Sequence, residues 1–140
     1  MIMETESITV QANVAAPIEK VWKTWTEPEH IMHWCSASDD WHVPTATNDA
    51  RVGGKFMTRM EAKDGSMGFD FEGVYSKVIP HKEIAYEMAD GRKVSIAFED
   101  HGDSTLVIET FDPETVNPRE MQRDGWQSIL ANFKKYTEQN

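Results

Sequence analysis

The order in which hydrophobic period changes along this chain constrains its fold more than any single motif. From Lys55 to Phe111 apolar residues recur in short segments, separated by Asp64-Gly65, Pro80-His81, Asp90-Gly91 and Asp100-His101-Gly102-Asp103. Segments of that kind joined by tight turns become antiparallel neighbours. The pattern therefore predicts a meander of strands over 55–62, 69–79, 83–88, 93–99 and 105–111. From Asn117 the period becomes helical, with Trp126, Ile129, Leu130, Phe133 and Tyr136 or Thr137 on one stripe. Asn117, Pro118 and Glu120 supply an N-cap, a first helical residue and the acidic partner of a capping box. An antiparallel sheet must cover its apolar face, and this long helix is the one element with a surface to match.

Before the meander, Ile8 to Asn13 alternates as a half-buried strand and stops at Ala15-Ala16-Pro17. Pro17 suits the first position of a helix, and Ile18, Val21, Trp22 and Trp25 then repeat with helical spacing. Pro28 disfavours helical geometry at Glu27, so a second short helix carrying Ile31, Met32 and Trp34 follows. Residues 35–51 predict a loop with one short strand around Trp41 and Val43. No repeat or linker interrupts the 140 residues, which make one domain, 1–140. The fold class is α+β, with about six or seven antiparallel strands curled around a long C-terminal helix, a helix-grip with two short helices after the first strand.

A net charge of −10 excludes the clustered cations that nucleic acid requires. Lys134-Lys135 is the nearest basic cluster, and its place near a helix C-terminus explains it. No apolar run approaches the ~20 residues of a membrane span, and the acidic start does not resemble a signal peptide. The single Cys35 excludes an internal disulfide and agrees with a reducing, cytoplasmic location.

Five spaced motifs carry a family resemblance: Ala16-Pro17-Ile18-Glu19-Lys20-Val21-Trp22; Thr26-Glu27-Pro28-Glu29-His30-Ile31 with Trp34; Arg51-Val52-Gly53-Gly54-Lys55-Phe56; Phe71-Glu72-Gly73-Val74; and Gly125-Trp126. Together they resemble the SRPBCC, or START-like, superfamily, and within it the branch named for the activator of the heat-shock-protein ATPase. The resemblance implies a cavity between sheet and C-terminal helix, used for lipids, polyketides and other apolar ligands and sometimes for catalysis. It implies a small apolar ligand as partner, with a chaperone partner and stress role, or cyclase or hydrolase activity, as alternatives. No cofactor is expected, and the chain is expected as a monomer or homodimer. Where many relatives carry two successive aromatic residues after the second helix, this chain has Trp34-Cys35, a departure that would widen the pocket mouth or place a thiol there.

Strand parity assigns candidate pocket residues. Phe56, Thr58 and Met60 share a face opposite Lys55, Arg59 and Glu61, while Phe69, Phe71 and Tyr75 share one with Gly73. Gly73 marks a close approach, a bend, or clearance for a ligand. Large aromatic rings suit an apolar pocket, although each Trp taken singly is first a core residue. Trp34 and Trp41 are expected at the pocket mouth and Trp22 in the core. The candidate ligand-binding set is Trp25, Trp34, Trp41, Phe56, Thr58, Phe69, Phe71, Tyr75, Trp126 and Leu130. His30, His33, Cys35 and His42 do not have the spacing of a metal site, and no metal is expected. Cys35 reads as an inert or mildly reactive thiol. Asp70 and Glu72 could couple as an acid/base pair, but parity turns them outward, and no catalytic residue is assigned. An enzyme would need an ionisable side chain well inside the cavity.

Overall fold

The computed structural model describes residues 6–36 and 38–140. Strand β1 (Ile8–Val14) leads into helices α1 (Ile18–Thr26) and α2 (Pro28–Trp34). Six strands follow: β2 (Trp41–Asn48), β3 (Lys55–Ala62), β4 (Gly68–Ile79), β5 (Glu83–Met88), β6 (Lys93–Asp100) and β7 (Thr105–Phe111). Helix α3 (Arg119–Gln139) closes the chain. All seven strands form one antiparallel sheet in the order β1-β7-β6-β5-β4-β3-β2, so the long connection through α1 and α2 places β1 and β2 at opposite edges.

The meander follows from alternation: Phe56, Thr58 and Met60 of β3, Ile84, Tyr86 and Met88 of β5, and Val94, Ile96 and Phe98 of β6 are all buried. Leu130, Phe133 and Thr137 of α3 meet this concave face, forming the helix-grip. The C-terminal half of α3 is tied to the end of β1 by polar contacts. The Ala15 N–H donates to the Glu138 carboxylate at 2.8 Å, and Lys134 Nζ donates to the Asn13 carbonyl at 2.8 Å.

Three local expectations change. Residues 35–51 contain a full eight-residue strand, β2, rather than a short one. Pro44 is accommodated because β2 is an edge strand whose register shifts between His42 and Thr45, where a missing N–H breaks no ladder bond. The capping box before α3 does not form: α3 is flanked by Pro118 and has no side-chain cap. Gln122 braces the preceding loop instead, its amide donating to the Glu114 and Asn117 carbonyls at 3.1 and 2.8 Å and accepting from the Glu114 N–H at 2.9 Å. Trp22 is only partly buried, lying edge-on to His81 and Phe98 at the margin of the core. Among the described residues no helix is long and apolar enough to cross a membrane.

A candidate ligand cavity with a buried carboxyl

Between the concave sheet, α2 and the first half of α3 lies a cavity of about 270 Å³. Of the ten candidates from the sequence, Trp25, Trp34, Phe56, Thr58, Phe69, Phe71, Tyr75 and Trp126 stand in its wall. Trp41 does not: it opens β2 and lies against Phe69 at 6.0 Å between ring centres, outside the wall. Leu130 is also outside it, 1% exposed in the sealed core, while Trp126 and Ile129 supply the α3 part of the wall. Trp34 is no mouth residue, being buried with its indole N–H donating to the Thr24 carbonyl at 2.9 Å. Phe69, 46% exposed, is a wall residue that reaches solvent.

The aromatic wall is mutually braced. Trp25, Trp34 and Phe133 have ring centres 4.9 Å apart in each pairing. Trp126 stacks on Phe111 at 4.0 Å with planes 8° apart, and Phe56 meets Tyr86 edge-on at 4.7 Å. Such contacts hold rings in place and leave the cavity surface preformed. Gly73 serves this arrangement, since a Cβ there would stand 2.8 Å from the Phe56 ring and 2.9 Å from the Glu87 carbonyl oxygen. Its role is close approach.

Sequence reasoning missed most of the polar part of the wall, Glu109, Tyr86, Asn48 and Arg92; Cys35, where the Trp34-Cys35 departure suggested a thiol at the pocket, stands with them. Asn48 donates to the Thr26 carbonyl and accepts from the Tyr75 hydroxyl, each at 2.5 Å, so its amide is fully oriented. The Arg92 guanidinium is held by Asp90 at 2.7 Å. Glu109 differs from these. It occupies an inward position of β7 between Val107 and Phe111, is 6% exposed, and pairs across the sheet with Val10 and Ile96. Burial pushes its carboxyl up to about 8, with no hydrogen bond or cation among the described residues offsetting that rise. Burial, then the nearby Glu109, pushes the Cys35 thiol up to about 12, and the same two causes, in that order, lead in raising Tyr86 well above the usual phenol range. Parity with Phe111 was the available signal for Glu109, but Leu106 and Ile108 on the opposite face obscured which side was inward.

Asp70 and Glu72 are exposed on the outer face, with Asp70 accepting from Arg59 at 3.2 Å. His30 and His33 both engage Tyr136, the first by a 2.7 Å hydrogen bond and the second by stacking, so neither is directed toward Cys35. Among the described residues the one group with metal-ligand proximity is Glu27, Glu29 and His30, beside the His30–Tyr136 bond.

A curved antiparallel sheet gripping a long helix around an aromatic cavity defines a START-like helix-grip protein. The chain matches the family described as "Activator of Hsp90 ATPase homolog 1-like protein" over residues 15–138, and it belongs to that family. An AHSA1-like protein from Aeromonas hydrophila, solved in solution, is 42% identical over 96% of this chain and 93% of its own, with a TM-score of 0.90. A Cytophaga hutchinsonii protein is 57% identical over 99% of this chain and 94% of its own, at a TM-score of 0.83. A Nitrosomonas europaea protein at 20% identity, covering 99% and 97% of the two chains with a TM-score of 0.82, shares the fold. No curated protein matches the chain.

Proposed function

We propose that this domain binds a compact, mostly apolar small molecule in its internal cavity. The observation that carries this reading is the preformed aromatic wall around about 270 Å³ of space, with a few converging polar groups. Ligand pockets have that composition, and this volume lies just below their usual span of roughly 300–1,000 Å³, which favours a ring-sized ligand over a long-chain lipid. The test is a titration of intrinsic tryptophan fluorescence with small aromatic compounds, since Trp25, Trp34 and Trp126 all face the cavity. Saturable quenching or a spectral shift that weakens in Trp126→Phe supports the reading. A flat response across indoles, naphthols and flavonoid-like rings refutes it.

Glu109 favours one second reading, cyclase or hydrolase chemistry in the same cavity, because a carboxyl that titrates near neutrality can give or take a proton. Turnover of a polyketide mimic that disappears in Glu109→Gln would support it. The co-chaperone alternative rests on the family description alone. A cytoplasmic location and a monomeric or dimeric state accompany the proposal as expectations.

A further inference from the structure

We propose that the cavity selects apolar molecules bearing a basic nitrogen, with Glu109 receiving the ligand's ammonium group. This rests on the cavity being a binding site and specifies its ligand chemistry. Glu109 is nine-tenths buried, stands in the wall, and has no hydrogen-bond partner among the described residues. A carboxyl that opens onto an apolar cavity without a donor is costly, and the described residues supply none. A ligand N–H would satisfy it. The rest of the wall points to a cation rather than a neutral donor, because Trp25, Trp126, Phe71 and Tyr86 present aromatic surface to the same space, and such rings attract ammonium groups when water is excluded. The competing cation, Arg92, is already paired with Asp90. A net charge of −10 also favours approach of a cation over an anion.

The groups around Glu109 leave it as the one that titrates between about pH 6 and 9. Cys35 at the end of α2 and Tyr86 on β5 both hold their protons through that range, as does Tyr75 on β4. The adjacent positions on β1 and β6 are Val10 and Ile96, and α3 offers Trp126 and Ile129, none of them ionisable. Ammonium binding needs the carboxylate, so each binding event below about pH 8 displaces a proton from Glu109.

The test is calorimetric titration of the full chain with tryptamine and with its neutral isostere 3-propylindole, from pH 6 to 9. Tryptamine is expected to bind at least about tenfold more tightly than 3-propylindole at pH 8, and its affinity to rise up to tenfold per pH unit before levelling off. At the acidic end, buffers of different ionisation enthalpy should reveal about one proton released per ligand. Glu109→Gln should abolish the preference and the pH dependence. Should that variant not fold, the pH series on the wild-type chain distinguishes the same outcomes. Binding of 3-propylindole with no advantage for tryptamine at any pH overturns the amine selection and leaves the cavity reading intact. Binding of neither compound overturns both.

Discussion

Replacing Glu109 by Gln isolates the energetic cost of an unpaired carboxyl in the core. In the folded protein Glu109 titrates at about 8, against an ordinary 4.5 when the chain unfolds. The folded state therefore keeps its proton across that window while the unfolded state releases it. Stability must fall as pH rises from about 4.5 to about 8 and be insensitive to this group outside those limits. At about 1.36 kcal/mol per pH unit the full span corresponds to about 5 kcal/mol, of which about 2–3 kcal/mol falls between roughly pH 5 and 7. Gln has the same shape but no titration, and its unpaired amide adds a pH-independent cost of about 1–3 kcal/mol. Urea unfolding of both proteins at pH 5, 6, 7 and 8 should show the wild type losing stability relative to the variant as pH rises. Other titrating groups are common to the two and cancel in the difference. A difference that stays constant with pH refutes the reasoning, because it would mean that the carboxyl is solvated in the folded state.

Further expectations follow from individual contacts. Gly73→Ala should destabilise the fold by about 1–3 kcal/mol in denaturant unfolding, since a Cβ there meets backbone of β5 as well as the Phe56 ring and the strand has little room to shift. Trp34→Ala should cost about 3–5 kcal/mol by the same measurement, removing ring packing against Trp25 and Phe133 and leaving the Thr24 carbonyl without its donor. Cys35, with its thiol pushed up to about 12, should react with iodoacetamide at pH 8 at least about tenfold more slowly in the native protein than in urea. Equal rates in the two states would show the thiol to be open to solvent.

Most of the scaffold could be read from the chain because its signals were local and periodic. Strand alternation located β3 to β7, and prolines at 17 and 28 located α1 and α2 to within a residue or two. The β2 edge was hidden because Pro44 and polar Thr45 and Thr47 break the alternation, and only pairing with β3 restores it. Helix α3 begins one residue later than its apparent capping box, after Pro118, and Gln122 ties the preceding loop through three hydrogen bonds. For the cavity, parity put Phe56, Thr58 and Phe71 on the right face, because a strand allows only two choices. Helical positions were harder. Leu130 and Ile129 are one residue apart on the same broad stripe, and which of them borders empty space depends on where the sheet curves away. Glu109 illustrates the same limit from the polar side, since a single acidic residue within an apolar strand reads as surface until both faces of the sheet are known.

Ligand binding in the cavity is tested most directly by a heteronuclear NMR titration of isotope-labelled protein with tryptamine at pH 8. Binding there predicts saturable shift changes concentrated at Phe71, Glu109, Trp126 and Ile129, with intermolecular contacts from the indole ring to those side chains. Changes confined to the outer face of the sheet around Arg59 and Asp70, or none with either tryptamine or 3-propylindole, would contradict it.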